Sequence, residues 1–470
     1  MDNEISRTLE RARHAQTEFE SFDQQSVDET VTAVGWSIVK PENNRLLAEL
    51  AVSDTGLGNV DDKINKNRRK TMGLLRDLKG VRSVGVISEN PARGIVRIAR
   101  PVGVVGAIVP STNPVATPVN KTLNALKGRN AIVLAPSPKG DKTCERLVHL
   151  MRAALERVGA PVNLVQKMPS PPGKAATGQL MESVDLVVAT GSQSNVRAAY
   201  SSGTPAIGVG AGNVVSIIDE TADIGEAAEK ILVSKSFDHA TSCSAENNLV
   251  IVEPVYQEVM HSLQQNGAVL LSGGEKRVLQ KAMWKDGKLN PRIIAKSAST
   301  IARYAGLDRT GTGQARVLLV EEDRYGEQAP FSGEKLSPVL TVFKAPDFQG
   351  AKSIAEGILN YQGKGHSISL HSNSDDRAME LGLELPVCRV IVNQVHSFAT
   401  GGAFNNGLPF SLSMGCGTWG GNSISENLQY RHYLNITRIS RVIEDSEPIE
   451  EELFADYWEK YPARPPVKVP

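Results

Sequence analysis

Cys243 stands in Ser236-Phe-Asp-His-Ala-Thr-Ser-Cys-Ser-Ala-Glu246, among small and hydroxylic side chains, and the apolar run Leu249-Val-Ile-Val252 that follows predicts a strand. A cysteine at the mouth of a loop, just ahead of a strand, keeps its sulfur accessible, and an accessible thiol is a nucleophile. The other three cysteines, Cys144, Cys388 and Cys416, lie far away in the chain, and no CxxC or Cys/His cluster offers a metal site. On its neighbourhood alone, an inert buried thiol is the competing reading.

Four other patches carry candidate chemistry. Pro110-Ser-Thr-Asn-Pro114 is a proline-bounded turn at the end of a predicted strand, where an open α/β sheet binds ligands. Asn113 there is a donor for a developing oxyanion, or else a turn-stabilising amide. Ala189-Thr-Gly-Ser192 joins a strand to a helix; Thr190, Gly191 and Ser192 could bring backbone N–H groups to a phosphate, or serve turn geometry alone. In Pro205-Ala-Ile-Gly-Val-Gly-Ala-Gly-Asn213, Gly208, Gly210 and Gly212 permit close approach to a ligand or an irregular connection. Glu334 ahead of a strand could bind ribose hydroxyls or be an ordinary loop charge, and His366 is a possible base or a surface histidine. No GxGxxG follows any predicted strand.

These residues need a scaffold, and the chain supplies an α/β one. Predicted strands at 102–109, 131–134, 162–165, 185–189 and 214–218 alternate with helices at 115–127 and from Asp141, the latter facing the core with Leu147, Leu150, Met151, Ala154 and Leu155. Such alternation implies a doubly wound parallel sheet. Further strands are expected near 249–252, 316–320, 339–343, 367–370 and 389–393, then 434–442 in a tail that turns acidic and ends proline-rich, with disorder expected at its last residues. The first 80 residues read as helical patches, 26–40 and 42–52 among them, and the basic segment 63–78 reads as a solvated face rather than a nucleic-acid surface. The 470 residues imply two or three domains, and 52 basic against 52 acidic residues argue against a nucleic-acid or membrane partner. The acidic N-terminus is unlike a signal peptide, the longest apolar run (101–110) cannot span a bilayer, and four scattered cysteines fit a reducing compartment, so a cytoplasmic protein is expected.

Taken together, the chain resembles the aldehyde dehydrogenase superfamily, and within it the CoA-acylating branch. The likeness is carried by Val102-Gly-Val-Val-Gly-Ala-Ile-Val-Pro-Ser-Thr-Asn-Pro114, by Ala198-Ala-Tyr-Ser-Ser-Gly-Thr-Pro-Ala-Ile-Gly-Val-Gly-Ala-Gly-Asn213, by Ser234-Lys-Ser-Phe-Asp238 leading to Cys243, and by Gly415-Cys-Gly-Thr-Trp-Gly-Gly-Asn-Ser-Ile-Ser-Glu-Asn427. The resemblance implies a Rossmann-like cofactor domain (1–231), a catalytic domain carrying the cysteine (232–428), and an oligomerisation arm (429–470) joined by a strand near 92–100. It implies Cys243 as nucleophile and Asn113 as oxyanion donor with the Cys243 backbone N–H; His366 is a candidate to assist deprotonation of the thiol that takes the acyl group. It assigns NAD or NADP to Pro110, Ser111, Thr112, Thr190, Gly191, Ser192, Gly210, Gly212 and Glu334. Ser137 and Lys139 fall at the adenosine ribose, where they would tolerate a 2′-phosphate.

One departure bears on the outcome of the reaction. In the hydrolytic members of the resembled family a glutamate in Glu-Leu-Gly-Gly activates water; here Gly208 falls at that position, or Val209 in a register shifted by one, and neither can act as a base. A thioester on Cys243 would then await a thiol, that of coenzyme A. A short aldehyde is expected as substrate, sulfoacetaldehyde favoured, with acetaldehyde or another short aldehyde as alternatives. Rivals are a hydrolytic enzyme, a phosphate-dependent acyl reductase and a non-enzymatic protein of the same fold. The expected assembly is a homodimer or homotetramer.

Overall fold

The computed structural model of the protein describes residues 2–171, 173–307 and 311–462. The continuous β-branched and apolar runs Val104–Val109 and Ala131–Pro136 are buried along their whole length, as strands covered on both faces must be. With Val165–Lys167, Leu186–Thr190 and Ala206–Val209 they form a parallel five-stranded sheet. Its spatial order, counting strands along the chain, is 3-2-1-4-5, so the connection reverses direction between Val104–Val109 and Leu186–Thr190. Ligands bind at such a switch point, outside the carboxyl ends of the strands. The helix Ala116–Lys127 packs across this sheet and is buried on every side. Its Lys121 donates to the carbonyls of Ile108 (2.6 Å) and Val188 (2.9 Å), tying together the two strands that flank the switch point.

A second sheet has seven parallel strands in the order Ala268–Leu270, Val317–Glu321, Val339–Ala345, Glu246–Val252, Val214–Ile218, Ile368–His371 and Val390–Val392. The strand Val214–Ile218 therefore sits beside Glu246–Val252, across the boundary expected at 231. Two apolar neighbours on the seven-stranded sheet outweigh its proximity in sequence to the first sheet. The segment 162–165 is also corrected: Val162–Leu164 is a 3-10 turn and the strand is Val165–Lys167. The glycine-rich stretch, whose composition suggests a ligand approach or an irregular connection, contains a strand, Ala206–Val209.

A third, antiparallel sheet stands apart from both. Ile95–Pro101 pairs with Gly85–Asn90 on one side and with Leu434–Ser440 on the other. The tail then forms a helix, Glu450–Lys460, none of whose residues is buried. Residues 463–470, the end of the proline-rich stretch, lie outside the described residues.

Four helices open the chain: Asp2–Phe19, Gln24–Val39, Pro41–Thr55 and Val60–Leu78. The first buries Ile5, Leu9, Ala12, Ala15 and Phe19 on one stripe, two of them alanines, which made the stripe faint in the sequence. Asp23 and Asn59 cap the second and fourth through Ser26 N and Asp62 N. No helix among the described residues is long and apolar enough to cross a membrane.

Candidate active site

Between the two parallel sheets lies a cleft of about 800 Å³. From the switch point it is lined by Pro110, Ser111, Thr112, Asn113, Thr190, Gly191 and Ser192, and from the seven-stranded side by Thr241, Ser242, Cys243 and Glu334. Gly191 has φ 144, and a Cβ there would stand in the opening, meeting Pro110 only at 3.6 Å. Ser192 caps the helix Gln193–Tyr200 through Asn195 N, so that helix begins at the cleft wall with its positive end inward.

The cysteine reaches the cleft through strained backbone. Asp238, His239 and Ala240 all have left-handed φ (47, 51 and 57), a conformation costing about 1–2 kcal/mol per non-glycine residue. What holds it is Asp238, fully buried and used as a hub. Its carboxylate accepts from Lys63 (3.1 Å), Lys66, Thr241 Oγ1 (2.7 Å) and the backbone N–H of Asn59 (3.0 Å). Its own N–H donates to Asp62 at 2.7 Å. Gly58 lies against this hub: a Cβ there would come within 1.8 Å of Asp238 Oδ1, and φ is +73. Burial by itself would raise the Asp238 carboxyl, but the Lys66 and Lys63 charges outweigh it and hold it below its ordinary value.

The same Lys66 orients Asn113. Its ammonium donates to Asn113 Oδ1 at 2.8 Å and to Thr241 Oγ1 at 2.9 Å, besides Asp238. With the amide oxygen taken, Asn113 presents its Nδ2 donor beside the half-buried Cys243. Burial, and then the Glu334 charge, push the Cys243 thiol up to about 12, so the resting nucleophile is protonated. Glu334 is itself raised to about 7 by burial, opposed by the Gly212 N–H and by Lys235 and Lys335. A nucleophile, an oriented amide donor and a carboxylate titrating near neutrality share one cleft with a helix start. That set suits covalent attack on a carbonyl beside a phosphate-bearing cofactor.

Most residues singled out from the sequence meet here, but His366, Gly212, Lys139 and Gly208 do not. His366 is fully buried, donates or accepts at Ser367 Oγ (2.7 Å), and does not line the cleft. Burial and the Arg389 charge push its pKa down to about 3; its ring lies directly behind Gly212, which abuts the Cys243 carbonyl, and its Nε2 has no hydrogen-bond partner among the described residues. Gly212 is likewise behind the wall, where a Cβ would strike the Cys243 carbonyl at 2.2 Å. Lys139 is exposed and outside the lining, whereas Ser137 and Gly210 are within it. The residues that sequence reading missed are Lys63, Lys66 and Lys70 of the helix Val60–Leu78. The first two are buried, and Lys70 donates to three carbonyls, those of Phe398, Gly401 and Gly402. Their spacing of three and four residues, 63, 66 and 70, was the available signal that they share one face.

Gly208 lies in the strand Ala206–Val209 and faces away from the cleft. Its Cβ would meet Val196 at 2.7 Å and the Tyr200 ring at 3.0 Å. Tyr200 Oη also accepts from Gly208 N (3.0 Å) and donates to Gly208 O (3.1 Å), so the ring is fixed in that space.

The model of the aldehyde dehydrogenase family matches residues 2–318. An acylating sulfoacetaldehyde dehydrogenase of Cupriavidus necator is 57% identical over 454 residues, covering 97% of this chain and 92% of its own. Another, of Bilophila wadsworthia, is 45% identical over 465 residues, covering 97% and 99%. The crystal structure of an acetylating aldehyde dehydrogenase from Geobacillus thermoglucosidasius has the same fold, with a TM-score of 0.91 at 36% identity over 95% of this chain and 98% of that one.

Proposed function

We propose, starting from the fact that the chain belongs to the aldehyde dehydrogenase family, that it converts sulfoacetaldehyde and coenzyme A reversibly to sulfoacetyl-CoA, with NAD or NADP as hydride acceptor. The Cys243 thiol releases its proton to solvent, the one proton the overall oxidation sets free, and its sulfur adds to the aldehyde carbonyl. The developing oxyanion is held by Asn113 Nδ2 and the Cys243 backbone N–H, donors worth about 3–4 kcal/mol each in such sites. A nicotinamide cofactor in the cleft would accept the hydride. The residues there fit one: an open glycine turn at Gly191, a capped helix start at Ser192 and a carboxylate at Glu334. Loss of hydride leaves an acyl thioester on Cys243. The thiol of coenzyme A attacks its carbonyl, and Cys243 leaves as the thiolate, so one thioester replaces another.

Transfer to a thiol is supported by the acylating relatives and by the cleft lining, in which Glu334 is the one carboxylate among the described residues; the position that resembles the water-activating glutamate of hydrolytic members is Gly208, turned away from the cleft. The substrate reading is supported by the two sulfoacetaldehyde dehydrogenases and by the small side chains of Thr241 and Ser242 beside the cysteine. Four free thiols support a reducing, cytoplasmic setting. Self-association through the third sheet and the exposed tail helix, as a dimer or tetramer, is supported by Phe454, Tyr457 and Trp458, which are 44%, 60% and 42% exposed. The test of the reaction is nicotinamide reduction with short aldehydes, with and without coenzyme A. Turnover that requires coenzyme A is expected, and full turnover to free acid without it would overturn the reading.

A further inference from the structure

Beyond Asn113 and Ser242 the cleft opens into a small side cavity, with Asn113, Ser242 and Leu412 lining both. One wall of the side cavity is the helix Val60–Leu78, which presents Lys66, Arg69 and Lys70 at the i, i+3, i+4 spacing of a single helix face. The opposite wall is aromatic, Phe237 and Phe398 packed edge to face at 4.7 Å. No carboxylate lines it among the described residues.

The three cations are not equivalent. Lys66 donates to Asn113, Asp238 and Thr241, which takes all three of its N–H groups. Lys70 donates to three carbonyls, so its capacity is also filled. Arg69 makes no hydrogen bond or ion pair to any described residue. Its guanidinium carbon lies over the Phe398 ring, 4.8 Å from the centroid, and 5.9 Å from that of Phe404. Such a cation–π contact uses none of its N–H groups as hydrogen bonds to protein, so they are available to bind two oxygens of an anion. A half-buried cation with fixed orientation and open donors, in the chamber next to the nucleophile, is placed to receive a charged group carried on the aldehyde.

We infer that Arg69 anchors the substrate's anionic tail, the sulfonate on the reading given above, and so sets the preference for sulfoacetaldehyde over uncharged aldehydes. The inference rests on that reading for the identity of the anion. Asn113, at the junction of the two chambers, then holds the carbonyl end while Arg69 holds the other, and a two-carbon chain spans between them.

The test compares kcat/KM for sulfoacetaldehyde, succinic semialdehyde and propionaldehyde in the native enzyme, Arg69→Ala and Arg69→Lys, with saturating coenzyme A and cofactor. In Arg69→Ala the ratio of sulfoacetaldehyde to propionaldehyde is expected to fall about 100-fold, the scale of hydrogen bonds to a charged group. Arg69→Lys should recover only part of it, because a lysine keeps the charge without the fork. If the native enzyme prefers sulfoacetaldehyde and Arg69→Ala keeps that preference, or loses both substrates equally, the role of Arg69 is refuted while the substrate reading stands. If the native enzyme prefers succinic semialdehyde and loses that preference in Arg69→Ala, the anchor stands and the sulfonate reading fails. A native enzyme indifferent to tail charge overturns both.

Discussion

At the scale of single residues, the consequence most open to measurement is the protonation of Cys243. Its thiol is pushed up to about 12 by burial and by the Glu334 charge, so the reactive thiolate fraction should grow about tenfold for each pH unit through pH 9. Iodoacetamide alkylation of Cys243, followed site by site in a mass spectrometer, should show that slope; a plateau between pH 7 and pH 8 would contradict it. Gly208→Glu should not graft a water-activating base, because its first side-chain atom would meet Val196 at 2.7 Å and then the Tyr200 ring. A lowered melting temperature without acid-forming turnover is expected, and a gain of hydrolysis would show that the side chain reaches the cleft after all. Cys243, Asn113 and Glu334 stood out in the sequence at predicted strand ends, and the structure brings all three to one cleft. His366 stands just ahead of the strand Ile368–His371, as its sequence suggests, but it is buried rather than at the surface, which a Gly-His pair does not reveal.

At the scale of elements, the helix Val60–Leu78 is where sequence and structure part. Its basic residues read as a solvated face, since a lysine is seldom buried unless paired, and the partner lies 175 positions away from Lys63 at Asp238. Pairing of that range leaves no local trace in composition. The hub at Asp238 joins this helix to the strained turn before Cys243, and Asp238→Asn strips two buried lysines of their counter-ion. A loss of about 3–5 kcal/mol is expected in denaturant unfolding, the usual effect of breaking a buried ion pair from one side. Because the folded carboxyl lies below its ordinary 3.8, its contribution is complete above that value and fades as pH falls through the lower folded one. An Asp238→Asn protein as stable as the native one at neutral pH would count against the hub.

At the scale of the whole molecule, the doubly wound sheet was readable from its buried runs, while the partition of strands between sheets was not. Val214–Ile218 looks like any other apolar strand, and only its neighbours assign it to the catalytic side. The tail segment 434–442 read as a strand, but the helix Glu450–Lys460 was not readable; its Phe454, Tyr457 and Trp458 stay exposed among the described residues. Light scattering at micromolar concentration should give a mass of at least two chains, and a monomer would remove the role given to the tail. The proposed reaction draws on both parallel sheets, since Asn113 comes from the rim of one and Cys243 from the rim of the other. The central claim is that their joint product is an acyl thioester that waits for a thiol. Intact-mass analysis after mixing the enzyme with sulfoacetaldehyde and oxidised cofactor, coenzyme A withheld, tests this most directly. A single acyl adduct on Cys243 that persists and then disappears when coenzyme A is added is the expected result; free acid released at the turnover rate, with no adduct on Cys243, would contradict it.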